Sequence, residues 1–591
     1  MLMIENIDKI LSSVSKPSWY IGTELNTVHK SRDIHTRVAY CFPDLYDVGM
    51  SHLGMKLLYH MMNERDDLWC ERVFAPNTDM EELLRKTNTS LFALESKDPL
   101  REFDFVAFTL VYELSYTGIL NMLDLAGIPI YAKDRTENDP IIIAGGPCMC
   151  NPEPVADFFD VIDIGEGEEN LNELFDLYKE CGKNKAEFLE KAKNIRGMYV
   201  PNHGEKQEKV TRAVIEDLDS AYYPDKLVVP FAQAVHDRIS LEIMRGCIRG
   251  CRFCQAGMIY RPYRQKSVER LKSDAVKLCE STGYDEISLL SLSTSDFQKL
   301  PELAESLREY CIPRKISLAL PSLRIDNFSK EISDEISSIR KTGLTFAPEA
   351  GTQRLRDVIN KNITDEDIER SCKIAFENGA SAVKLYFMIG LPTETDEDII
   401  GIAQTAQQVV EYFYKYATNR SRGISVTISC ATFVPKPHTP FQWEAQLTLD
   451  EIQRRQDLLK RSITSKKVHL KYHDADTTVL EGVFARGDRK IAQLIEAAWR
   501  LGCRLDAWTE HFDFSRWQKA AEECGINFYD YTARKRSFDE QLPWHFVDIG
   551  VTKSFMQREC EKAYNAETTP NCIEKCSGCG MNKICKGDVC P

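Results

Sequence analysis

Glu242-Ile243-Met244-Arg245-Gly246-Cys247-Ile248-Arg249-Gly250-Cys251-Arg252-Phe253-Cys254 places three cysteines at C-x3-C-x2-C, directly after an apolar, strand-like run from Ile239 to Met244. Thiolates suit soft iron, and iron–sulfur cubanes are normally held by four of them. Three close cysteines would hold three irons and leave the fourth open to a small-molecule ligand. Gly246 and Gly250 give the loop the backbone freedom to bring the three sulfurs together. A zinc or purely structural site is the plainer reading of three cysteines. Such sites usually pair two C-x2-C knuckles or add histidines, and neither occurs nearby.

Outward from this loop, strand-like and helix-like segments alternate on both sides. Before it, strands are expected at Arg37–Pro43, Phe105–Leu110, Ile141–Pro147 and Val161–Glu168, with helices at Gly49–Asn63 and Tyr116–Ala126. That alternation predicts a doubly wound parallel sheet that binds ligands beyond its strand C-termini. After the loop, strand-like runs appear at Glu286–Ser293, Ile316–Leu323, Gly343–Pro348, Ala382–Pro392 and Ser425–Phe433. With the strand that enters the loop these make six, so a partial (β/α)6 barrel is expected, with its site at the strand C-termini.

The fold class read from the chain is therefore α/β: an N-terminal Rossmann-like domain, a partial barrel, and a mostly helical C-terminal region ending in a Cys-rich tail. The expected divisions are residues 1–35 (helix and lead-in), 36–220 (Rossmann-like), 221–235 (linker), 236–460 (barrel), 461–545 (helical, with Trp499, Trp508, Trp517 and Trp544 as a compact aromatic core) and 546–591 (tail). The length of 591 residues suits about three to five domains.

Hydrophobic content of 43% and charged content of 28% are those of a soluble enzyme. No apolar run is long enough to cross a membrane. Met1–Lys16 has neither signal-peptide nor transit-peptide character, so a cytoplasmic location is expected. Twenty cysteines in so large a chain point to metal binding before disulfides. A net charge of −15 argues against a surface coated for nucleic acid. Arg245, Arg249, Arg252, Arg261, Arg264 and Lys266 nevertheless gather at the loop. They are read as holding an anionic cluster and a substrate carboxylate, in preference to RNA.

The three-cysteine loop, with aromatic Phe253 before the last cysteine, resembles that of the radical S-adenosylmethionine (radical SAM) superfamily. The resemblance implies that Cys247, Cys251 and Cys254 ligate a 4Fe–4S cluster. Its open iron would chelate S-adenosylmethionine, and reductive cleavage would yield a 5′-deoxyadenosyl radical. It further implies cofactor contacts at Phe253, at Ser293-Thr294-Ser295 (where the family has Gly-Gly-Glu), at Glu349, and at Gly390-Leu391 within Met388–Thr395. An electron donor such as flavodoxin or ferredoxin is the implied partner. Gly145-Gly146-Pro147 followed by Gly165-Glu166-Gly167-Glu168 resembles the cobalamin-binding domain that precedes the barrel in many radical SAM enzymes, with Ser115, Gly145, Gly146 and Gly165 as candidate corrin contacts. The D-x-H-x-x-G motif that supplies a cobalt-ligating histidine is missing. Asp47-Val48-Gly49-Met50-Ser51-His52-Leu53-Gly54 has the wrong spacing, so either cobalamin binds without a protein histidine beneath it or the domain binds no corrin. Phe433-Val434-Pro435-Lys436-Pro437-His438 resembles a segment of an uncharacterised subfamily with such domains, and His438 is there either an acid–base group or a structural loop residue.

Cys572, Cys576 and Cys579 repeat the first loop's spacing, and Cys585 or Cys590 follows. A tail this short needs a metal, disulfides or docking on the main body. A second iron–sulfur cluster and zinc are both compatible with these ligands. The functional expectation is radical chemistry on an unknown substrate, through cobalamin-dependent methylation or another radical modification. The alternatives are cobalamin-independent modification of RNA or ribosomal protein, such as methylthiolation, and a non-catalytic iron–sulfur sensor or electron carrier.

Overall fold

The computed structural model describes residues 7–320, 324–326, 344–421 and 423–583. Cys585, Cys590, Gly343 and the Pro321–Leu323 end of one expected strand lie outside the described residues.

The N-terminal sheet is built from Val-, Ile- and Phe-rich runs that are buried on both faces, as parallel strands under helices require. Its strands are β1 (Thr36–Phe42), β2 (Leu68–Phe74), β3 (Phe105–Thr109), β4 (Ile141–Gly145), β5 (Val161–Asp163) and β6 (Met198–Tyr199), in the order β2-β1-β3-β4-β5-β6. The first five run parallel and β6 is antiparallel. This is the flavodoxin-like doubly wound order, and its chain reverses direction of growth between β1 and β3, where such sheets open a ligand crevice. A short strand β7 (Val210–Thr211) leads away from it.

The second sheet system begins with β8 (Ile239–Glu242). The chain then forms a two-stranded ribbon, β9 (Met244–Arg245) against β10 (Arg264–Gln265), that closes the base of the cysteine loop. Strands β11 (Glu286–Leu290) and β12 (Ser317–Ala319) extend β8 in parallel. Strands β13 (Leu344–Glu349), β14 (Ala382–Ile389), β15 (Ser425–Thr432) and β16 (Val468–Tyr472) form a second parallel set. Along β14, Val383, Leu385, Phe387 and Ile389 are buried against helices, while Ala382, Lys384, Tyr386 and Met388 face the less covered side. One face carries the packing and the other stays open, as in an open-sided barrel.

Two differences from the sequence reading follow. The barrel sheet does not end at residue 460, because β16 adds a strand beyond that boundary. The tryptophans of residues 461–545 do not make a core of their own. Trp499, Trp517 and Trp544 join the same hydrophobic cluster as β1–β5. The helix Ile491–Arg500 packs on the helix Tyr116–Leu125, and Trp508 Nε1 donates to Asp44 at 2.7 Å. This region is the cover of the N-terminal sheet. A last strand, β17 (Val547–Asp548), pairs with β7, and the helix Lys553–Tyr564 then carries the tail to the cysteine loop. No helix among the described residues is long and apolar enough to cross a membrane.

Candidate active site

The cysteine loop leaves the ribbon at Gly246, whose φ of +79° suits glycine and whose added Cβ would lie 2.4 Å from the Pro262 carbonyl oxygen. All three cysteines are partly buried. Burial pushes the free thiols of Cys247 and Cys254 up, to about 12 and about 11, and each interacts electrostatically with Cys251. The backbone N–H of Arg249 points at the Cys247 sulfur at 3.4 Å and that of Gly257 at the Cys254 sulfur at 3.3 Å. A metal centre would reverse the preference for neutral thiols, and N–H donors aimed at sulfur are the contacts that stabilise iron-bound thiolate. A cubane takes each cysteine at a different iron, a donor set that three thiols on one loop can supply.

The cationic side chains around the loop are committed elsewhere than the sequence reading placed them. Arg249 pairs with Asp296 and Asp326, Arg245 with Glu242 and Glu168, Arg264 with Glu166, and Arg252 with Glu559. Lys266 lies 3.8 Å from Asp274. These residues tie the loop to its surroundings through buried ion pairs. Arg261 alone of the set pairs with no carboxylate among the described residues. Asn360, which the sequence reading missed, donates its side-chain N–H to the Gly250 carbonyl at 3.1 Å.

Several strand ends face this loop. Glu349 closes β13 with φ +68°, a strained conformation for a non-glycine residue of the kind that collects at functional sites. Its carboxylate accepts from Lys361 at 3.1 Å, and both groups act electrostatically on Cys254. Gly390 follows β14 with φ +87° and donates its N–H to Glu394 at 2.7 Å. Burial holds that Glu394 carboxyl up, at about 7, against the pull of the Gly390 N–H and Arg455. Phe253 packs against the small cluster that contains Ala350 and Leu391, so the residue before the last loop cysteine joins two strand ends in one apolar contact. Ser293, Thr294 and Ser295 follow β11. Ser293 gives its hydroxyl to Asp296, the partner of Arg249, and Ser295 accepts from the Arg324 N–H at 3.1 Å. Arg324 in turn interacts electrostatically with Cys251.

A cavity of about 530 Å³ separates the two sheets, within the ~300–1,000 Å³ typical of ligand sites. One wall is the C-terminal edge of the N-terminal sheet, with Tyr40, Thr109, Gly145, Gly146 and Asp163. The other carries Glu242, Met244, Gly246, Leu290 and Ser291 from the cluster side. Gly145, Gly146 and Gly165 thus reach the cavity, but two have a local backbone reason. A Cβ on Gly146 would lie 2.6 Å from the Leu110 carbonyl and one on Gly165 2.3 Å from that of Ala213. Ser115 is not brought there: it is buried and gives its hydroxyl to the Tyr112 carbonyl at 2.7 Å.

His52 does line the cavity, as cap of the helix Leu53–Glu64. Its Nδ1 accepts the Met55 N–H at 3.1 Å, which leaves the proton on Nε2, and burial keeps the ring neutral with a pKa lowered to about 4. The ring therefore offers a donor, not a metal lone pair. His438 is buried with Nε2 2.9 Å from the Cys150 carbonyl, a structural tie and not a free acid–base group. Asp163 was missed by the sequence reading, although a carboxylate inside the apolar run Val161–Ile164 was the available signal. Burial, with Glu168 nearby, raises it to about 7. Burial alone would raise Glu166 as well, but Arg264 overrides it and holds the carboxyl at about 2.

A family profile described as "Radical SAM superfamily" matches residues 241–406, and one described as "Radical SAM proteins, N-terminal" matches residues 54–201. An uncharacterized protein of Methanocaldococcus jannaschii is 29% identical over 463 residues, 78% of this chain and 90% of its own length. The anaerobic magnesium-protoporphyrin IX monomethyl ester cyclase of Cereibacter sphaeroides is 24% identical over 253 residues, 41% of this chain and 40% of that protein. Among solved structures, the radical S-adenosylmethionine methyltransferase TsrM of Kitasatospora setae, with tryptophan and a SAM analogue bound, superposes with a TM-score of 0.49 at 14% identity, covering 83% of this chain and 100% of that one. The cobalamin-dependent S-adenosylmethionine radical enzyme OxsB gives 0.45 at 12% identity, covering 94% and 89%.

Proposed function

We propose, for a chain that belongs to the radical SAM superfamily, that cobalamin occupies the cavity between the two sheets and that the enzyme methylates, or otherwise modifies by a radical route, a substrate held at the open face of the barrel. The single observation that carries this reading is the placement of the cavity. It lies at the carboxyl edge of a flavodoxin-like sheet and is closed on its far side by Met244 and Gly246, the residues that lead into Cys247.

When bound, a 4Fe–4S cluster at the loop would supply the electron for reductive cleavage of S-adenosylmethionine, and cobalamin would supply a transferable methyl group. The chain's own share is positional. Cys247, Cys251 and Cys254 would hold three irons and leave one free. Glu349, oriented by Lys361, would take a polar group of S-adenosylmethionine. Phe253, Gly390 and Leu391 would contact its adenine, and the Ser293–Ser295 turn its methionine end. On the corrin side Gly145, Gly146 and Gly165 keep the sheet edge flat. His52, with its Nδ1 lone pair spent on the Met55 N–H, would not serve as a ligand to the cobalt. A flavodoxin or ferredoxin is the electron donor in this reading.

The test is corrin retention by the anaerobically purified, iron- and sulfide-reconstituted full chain after incubation with hydroxocobalamin and gel filtration. About one corrin per chain is expected from the cavity between the two sheets. A chain that retains none while carrying sulfur to an RNA or ribosomal protein would replace this reading with cobalamin-independent methylthiolation.

A further inference from the structure

We propose that Cys572, Cys576 and Cys579 hold a second iron–sulfur cluster, set against the Cys247–Cys254 loop and charge-coupled to it through the Arg261 guanidinium. The tail that carries these cysteines is docked. The Cys572 N–H donates to the carbonyl of Ile248, the residue after Cys247, at 3.0 Å. The Thr552 N–H donates to the Cys579 carbonyl at 2.9 Å. Between these points Arg252 reaches Glu559 and the Glu567 carbonyl, and Asn360 bridges the Gly250 carbonyl to the Thr569 N–H. The Cys572 thiol interacts electrostatically with those of Cys579 and Cys576. Cys579 is buried, Cys572 is half-buried and Cys576 is exposed, so the trio runs from the loop to the surface.

Arg261 is the second, independent observation. It is 3% exposed. Its Nε donates to the Gly257 carbonyl at 3.0 Å and its Nη2 to that of Arg249 at 3.3 Å. Its Nη1 is buried with no hydrogen-bond partner. The groups that act most strongly on the guanidinium are the Cys579 thiol, which also hydrogen-bonds it, the Cys572 thiol and, on the loop, that of Cys247. A buried cation without a counter-charge is costly, and neutral thiols do not supply one. Metal-bound thiolates do, and a cluster with its sulfides would give Nη1 an acceptor. The tail trio repeats the C-x3-C-x2-C spacing of the first loop. Zinc sites usually pair two C-x2-C knuckles or add histidines, so the repeat favours thiolates on separate irons.

The site's existence is independent of the function proposed above, and only its coupling rests on the first cluster. The test uses the full chain, reconstituted anaerobically, as wild type, Cys251→Ala and Cys576→Ser. Cys576 is exposed, so its replacement leaves the fold undisturbed. Cys251→Ala is expected to keep iron and acid-labile sulfide in a reducible cluster, and Cys576→Ser to lose part of the iron while keeping the first cluster's reduced signal. Zinc in the tail, or the same iron content in Cys576→Ser as in wild type, overturns the proposal. A wild type with iron in the tail alone would instead sink the function and leave this site standing. Arg261→Gln should lower the reduction potential of both clusters, since one cation favours the reduced form of each, and Arg261→Lys should restore them. A change in neither potential, or in one only, refutes the coupling.

Discussion

Asp163 stands at the end of β5 with its Oδ1 accepting from Asn170 Nδ2 at 2.6 Å. Burial is the larger cause, and the Glu168 carboxylate a smaller one, that raise its pKa to about 7. Unfolded, the group titrates near ~3.9. Its stabilising contribution is therefore complete below the unfolded value and is lost as pH rises towards 7. Asp163→Asn, which keeps an oxygen for Asn170, removes that dependence. Its stability relative to wild type should improve by about 2 kcal/mol between pH 5 and pH 8, read as urea midpoints of the two proteins at each pH. An unchanged difference would contradict the assignment. Glu349 belongs to the same scale: its strained backbone and its Lys361 contact were invisible in sequence, where only its place in Pro348–Gln353 drew attention.

The β4 end shows what an element-level pattern can and cannot convey. Gly145-Gly146-Pro147 reads as a strand running into a ligand loop, and the glycines do reach the cavity. Yet Gly146 has φ +107° and approaches the Leu110 backbone, so it is required before any ligand arrives. Gly146→Ala should destabilise the ligand-free protein by about 1–3 kcal/mol, seen as a lower denaturation midpoint without added cobalamin. A normal midpoint with corrin retention lost would assign the glycine to the ligand alone. Strands β11, β14 and β15 were legible because each carries a run of buried Ile, Leu, Val or Phe. Strand β16 was not. It lies at the sheet edge, His469, Lys471 and Tyr472 are exposed, and Val468 alone is fully buried, so almost no hydrophobic period marks it.

Across the whole molecule, the loop between β9 and β10 is held from every side. Arg245 and Arg264 bind it to the acidic start of the helix Gly167–Glu180 and its cap, Arg249 to the turn after β11, and Arg252 to the C-terminal helix. The division into two α/β units and the three-thiol loop could be read from residue spacing and apolar runs. The docking of residues 461–583 could not, because long-range ion pairs such as Arg252–Glu559 leave no local period. The account's central claim is that this assembly presents an iron with a free site to S-adenosylmethionine. The direct measurement is 5′-deoxyadenosine formed under dithionite by the reconstituted full chain and by Cys251→Ala. Formation by the wild type and its loss in the variant are expected; undiminished formation in Cys251→Ala would contradict the claim.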